Sequence, residues 1–178
     1  AQVGDRALRA AIIEWWTARR SSGEVHPELP TPQTSAADVA DAARRLLRAC
    51  DRYATSVDDV QSARPNPSKS LVERLEITEE IATQARNAAE LAAADDLGPI
   101  QVAALQAALE ARKPRAGNPM PSDHEELAQL IDARTALVRR LAEHVAAPRV
   151  LLLAELVRRF SHAYEEGKRR HELLDFDD

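Results

Sequence analysis

The sequence predicts an all-α protein, a bundle of about six helices, and three observations carry that expectation. Hydrophobic residues make up 44% of the 178-residue chain and charged residues 30%, but aromatics only 3%. That balance favours Ala- and Leu-rich helices over the aromatic and β-branched content of strands. Apolar residues then recur at three- and four-residue steps in one segment after another, the period of a helix face. Stretches rich in proline, glycine and serine separate those segments. The length suits one domain with its own core, or at most two small helical units, and no internal repeat is visible.

Each element can be justified in order. Leu8, Ala11, Ile12, Trp15 and Trp16 give residues 5–20 one apolar side, with Trp15 in the core and Trp16 at the core or an interface, and Ser21-Ser22-Gly23 ends the helix. Pro27, Pro30 and Pro32 make 24–34 a connector, because each lacks a donor and turns its predecessor away from helix. Ser35 followed by Asp38 predicts a capping box, after which Val39, Ala43, Leu46, Leu47, Cys50 and Tyr53 trace a second helix into the low sixties. RPNPSK breaks the chain. Leu71, Leu75, Thr78, Ile81, Ala85 and Ala89 then trace a long third helix, whose mostly small side chains permit close helix approach.

The stretch 95–99, DDLGP, is a stop and restart, and Ile100 to Arg112 reads as a shorter fourth helix. KPRAGNPMPS, 113–122, reads as a flexible loop, and Ser122 with Glu125 as a second capping box. Leu127, Leu130, Ile131, Leu137, Val138, Leu141 and Val145 make a fifth amphipathic helix, which Pro148 is expected to separate from a sixth. That sixth carries Leu153, Leu156, Val157, Phe160 and Tyr164 on one side and Glu155, Arg158, Arg159, His162, Glu165 and Arg169 on the other, with a weak point at Gly167.

Several chemistries find no support in the residues. No GxxxxGK[ST] phosphate loop is present, so this chain alone is not expected to hydrolyse ATP. His26, His124, His144, His162 and His171 follow neither an HExxH nor a Cys/His zinc pattern. His162 with Glu165 and Glu166 is the one helical cluster to weigh for a metal, and a solvated polar face explains it more simply. The pairs Glu79-Glu80, Asp95-Asp96 and Glu125-Glu126 diverge by about 100° between adjacent helical positions, which suits helix-start electrostatics better than a shared proton. The single cysteine, Cys50, lies on an apolar helix face and reads as a core thiol. No catalytic residue, metal or cofactor is therefore assigned to this chain. No apolar run reaches the roughly 18 residues of a membrane helix, so a cytoplasmic chain with no membrane partner is expected. The start at Ala1, without a basic-then-apolar leader, suits an excised fragment or a processed chain.

A net charge of −5 argues against a general polyanion binder, so contact with nucleic acid would need local patches. Two are candidates. Arg44, Arg48 and Arg52 repeat every four residues with Arg45 alongside, a guanidinium stripe able to follow a phosphate backbone unless Asp41 and Asp51 neutralise it. Arg112, Lys113 and Arg115 enter the Pro/Gly loop, where they could meet phosphate without base specificity. Exposed tryptophan could add a stacking platform.

The last helix leads into LVRRFSHAYEEGKRRHELLDFDD, residues 156–178. This string resembles the segment of UvrD/RecB-like superfamily 1A DNA helicases, including AddA- and AdnB-type helicase-nuclease subunits, in which a helix bearing Phe, Tyr and Lys at set spacing precedes LDFxDL. Phe160, Tyr164 and Lys168 fall on the helix positions, and Leu174, Asp175, Phe176 and Asp178 on the closing motif. In that family the segment leads from accessory subdomain 1B back into motor subdomain 1A. The resemblance thus implies that 1–174 form a helical 1B-like subdomain and 175–178 begin the return. It also implies duplex or forked DNA, the other subdomains of the parent chain and, in helicase-nucleases, a second subunit as partners, with ATP and Mg in the parent only. Residues 1–155 share helical character and order with the family rather than a motif.

A free-standing helical adaptor that docks another protein is the alternative, and an α-helical enzyme built on His162 a third reading, revived by stoichiometric transition metal in the purified protein. The helicase reading predicts that the coding sequence continues past Asp178 with a leucine and then a Walker B strand. Sequencing the gene on both sides checks this, and a stop codon at that point would favour the adaptor.

Overall fold

The computed structural model describes residues 5–24, 29, 34–63, 66, 68–114 and 124–171. Among them the chain is all-α: α1 (Asp5–Ser21), α2 (Ala36–Ser62), α3 (Lys69–Ala93), α4 (Pro99–Ala111) and α5 (Glu125–His171), with no strand. The expected loop prolines Pro27, Pro30 and Pro32, most of the 113–122 loop and the Ser122 cap lie outside the described residues. Two compact units divide the chain, one made of 33–146 and the other of 1–32 with 147–178.

The larger unit packs α2, α3, α4 and the first part of α5 around one core. Val39, Leu46, Cys50, Tyr53 and Val57 of α2 are buried with Leu71, Ile81, Ala85 and Ala88 of α3. Leu105 and Leu109 of α4 and Leu127, Leu130, Leu137 and Leu141 of α5 complete it. Exposed ends are tied down by polar side chains. Ser35 and Asp38 form the expected capping box at the start of α2, the Ser35 backbone N–H donating to Asp38 Oδ2 at 2.7 Å. That bond and the one from the Ser35 hydroxyl hold the Asp38 carboxyl below its ordinary range. Arg134 Nε donates to the Leu109 carbonyl at 2.7 Å, satisfying one of the acceptors that the end of α4 leaves without a helical partner.

The smaller unit joins α1 to the second part of α5. Trp16, expected at the core or an interface, is buried at 5% exposed, whereas Trp15, expected in the core, is half-exposed. Trp16 wins the interior because its partners are there. Its Nε1 donates to Ser161 Oγ at 2.7 Å, Phe160 meets its ring edge-on at 5.3 Å and Tyr164 lies at 4.5 Å between centroids.

Pro148 does not end a helix, as the sequence led us to expect: α5 runs 47 residues through it. The fifth and sixth predicted helices are therefore one. Proline removes its own N–H and crowds the carbonyl four residues earlier, at a cost of about 3 kcal/mol in a helix interior, yet its fixed φ is itself helical. Gly167 also stays within the helix.

The ends of α1 and α3 follow one pattern with different residues. After α1, Glu24 N–H donates to the Arg19 carbonyl at 3.1 Å and Gly23 N–H to Arg20 at 2.9 Å, with Gly23 at φ 93°. After α3 the same paired bonds run from Asp96 to Leu91 at 2.9 Å and from Asp95 to Ala92 at 3.3 Å, but the left-handed position holds Asp95 at φ 54°. This is the Schellman closure, for which glycine is the unstrained choice. Asp95→Gly is accordingly expected to stabilise the fold by about 0.5–1 kcal/mol, read from the urea midpoint with unchanged slope.

Candidate nucleic-acid interface

The α2 arginines face outward because the helix buries its opposite side. Val39, Ala43, Leu46, Cys50, Tyr53 and Val57 occupy the core, which leaves Arg44, Arg45, Arg48 and Arg52 exposed. Arg44 pairs with Asp41. Arg45, Arg48 and Arg52 make no hydrogen bond or ion pair among the described residues, so Asp51 neutralises none of them. From Arg44 to Arg52 the row spans about 12 Å at the helical rise, the length over which one DNA strand presents roughly three or four charges. Elsewhere many exposed arginines are matched within their own helix. Arg158 and Arg159 both bond Glu155, and those bonds draw its carboxyl down to about 2. Arg170 bonds Glu166, and Arg86 bonds Glu79 at 3.0 Å.

The second basic patch is partly paired at the surface. Arg112 pairs with Glu80 of α3 at 2.5 Å, while Lys113 is exposed and Arg115 lies outside the described residues. The two patches belong to the same unit.

Of the residues carrying the family resemblance, Phe160 and Tyr164 pack on Trp16, and Lys168 sits half-buried one turn further along α5. Leu174, Asp175, Phe176 and Asp178 lie outside the described residues. Trp15 retains an exposed flank, with the Arg19 guanidinium 5.9 Å from its ring centroid. Glu165 lies 3.8 Å from Arg20 and Glu166 bonds Arg170, and no group of three His, Cys, Asp or Glu is placed for a metal among the described residues. No helix among them is long and apolar enough to cross a membrane.

A feature the sequence reading passed over lies on the other side of α2. A cleft of about 170 Å³ is lined by Tyr53, Ser70, Glu73, Arg74, Thr78 and Pro114. Arg74 is 9% exposed and Tyr53 1%, yet Arg74 Nη1 and the Tyr53 hydroxyl have no hydrogen-bond partner among the described residues. The sequence signal was there: Arg74 follows Leu71 by three residues and precedes Thr78 by four, on the buried side of α3.

Compared with protein-family profiles, curated proteins and solved structures, the chain matches none.

Cys50 is 2% exposed, and burial, with Asp51 and Glu79 nearby, pushes its thiol up to about 12. A thiol so raised favours folding below its unfolded value near 9, and that contribution is lost as pH climbs from there toward 12. Iodoacetamide at pH 8 is expected to leave the native protein unmodified and to alkylate it in denaturant, measured by intact mass. Rapid labelling of the folded chain would contradict the burial.

Proposed function

We propose that this chain is the accessory, 1B-like region of an ATP-dependent DNA helicase or helicase-nuclease, serving DNA unwinding and repair in the cytoplasm by holding duplex backbone near the fork. The observation that carries the reading is the α2 row, in which Arg45, Arg48 and Arg52 stand exposed without partners among the described residues and Arg44 extends them. Guanidinium groups at a four-residue repeat suit sequence-independent phosphate contact, since they grip charge and offer no organised set of donors to base edges. The terminal string with Phe160, Tyr164 and Lys168 supports the assignment to this family of motors. In that arrangement the ATP, the Mg and the catalytic residues belong to the rest of the parent enzyme, and this region positions DNA for it.

The second reading, an adaptor, draws on exposed apolar side chains: Ile100 at 83% and the neighbours Leu151 and Leu152 at 49% and 63%. Such residues suit a protein partner, although exposed apolar side chains are common on folded proteins.

Binding to duplex or forked DNA should be weak, insensitive to sequence and steep in salt, with a log–log slope of roughly −3 for three to four phosphate contacts. Reversing Arg44, Arg48 and Arg52 to glutamate should abolish most of that slope and weaken binding at least about tenfold, measured by fluorescence anisotropy across a salt series. Unchanged binding in the triple variant would remove this surface from consideration.

A further inference from the structure

The cleft between α2 and α3 holds a buried guanidinium that pairs with no carboxylate among the described residues. Among the described residues Arg74 makes neither hydrogen bond nor ion pair through its side chain, and its position, 9% exposed, deprives it of most of the water that serves a surface arginine. Water entering the cleft could satisfy its N–H groups but could not neutralise it. The one carboxylate in the lining, Glu73, is its neighbour in the helix and therefore projects about 100° away. It makes no bond to Arg74 among the described residues.

Three further features surround the same cleft. Tyr53, 1% exposed, lines the cleft, and its buried hydroxyl has no partner among the described residues. Ser70 brings a hydroxyl from the first turn of α3. That turn lacks both a side-chain cap on Ser68 and an acidic residue, so the positive end of the helix is left without its usual compensation. Arg74 lies one turn below Ser70 on the same face, which aligns the guanidinium, the hydroxyl and the helix start along one wall. Pro114, immediately after Lys113, closes the other side.

We propose that this cleft binds a singly charged phosphate-type oxyanion, a phosphodiester above all. The guanidinium would bridge two of its oxygens, and Tyr53 and Ser70 would donate to the remainder. A planar carboxylate offers only two oxygens to donors arriving from three directions. A dianion is disfavoured because the Glu73 carboxylate adds negative charge to the lining. The volume admits one such group, with the ester substituents leaving through the open side. The site is independent of the outer arginine face of α2 and holds its ligand whether or not that face meets DNA.

The test uses the full chain, melted at constant ionic strength as sodium phosphate or dimethyl phosphate replaces chloride, with affinities from titration calorimetry. The wild type should gain in Tm with the logarithm of phosphate or diester concentration. Arg74→Met should bind the diester about ten- to a hundredfold more weakly, the worth of a charge-assisted contact. In chloride this variant should be at least as stable as the wild type, because removing an unpaired buried charge relieves its desolvation. Tyr53→Phe should weaken binding while preserving the core packing of the ring. No gain over chloride in the wild type, or an equal gain in Arg74→Met, would overturn the proposal, as would acetate matching dimethyl phosphate. A short DNA duplex separates the sources: if Arg74→Met weakens duplex and diester alike, the cleft takes a backbone phosphate, and if only the diester is weakened, it takes a free one.

Discussion

Close contact between α2 and α3 through small side chains governs the rest of the larger unit. Ala42, Ala43 and Ala49 on one helix and Ala82, Ala85 and Ala88 on the other are buried, so little bulk separates the two backbones. Alanine gives up almost no side-chain entropy on burial and is the strongest helix former, which lets this pair form without large apolar anchors at every turn. Bulk is supplied instead by the leucines of α4 and α5, which cover the pair and bury Leu105, Leu109, Leu137 and Leu141. Larger residues along the alanine rows would spread the helices and cost packing on every surrounding element.

That same closeness accounts for the two surfaces of α2. A helix buried along one side and tight against a neighbour leaves a well-defined outer arc, and the arginines occupy it. Where the alanines give way, toward the start of α3, the larger Tyr53 and Arg74 prop the helices and leave the cleft. The charged outer arc and the recessed guanidinium thus arise from one packing arrangement, but they differ in what solvent can do for them. On the arc, water and salt screen each arginine, whereas the cleft offers Arg74 little of either.

Much of this was legible in the residue pattern. The helical class, the capping box of Ser35 and Asp38, the burial of Cys50 and the exposure of the arginine row all follow from a 3.6-residue period, because each depends on local geometry. What depended on partners far along the chain was not. Whether Trp15 or Trp16 turns inward was decided by Ser161, Phe160 and Tyr164, about 145 residues away in the case of Ser161. Pro148 was read by its local rule, whereas the helix continues through it and a buried residue returns at Val157. Arg74 escaped notice because a periodicity search scores apolar residues and treats a charged residue within an apolar stripe as noise.

Cys50 has a practical consequence. It is the single thiol of the chain, and it lies within the α2 core at 2% exposure. A cysteine introduced at an exposed position would therefore be the one sulfur in the native protein open to a maleimide. Dyes or spin labels could be placed one at a time along the α2 surface or beside the cleft without first deleting the natural residue. The fold comes, in effect, with its own silent background for distance measurements.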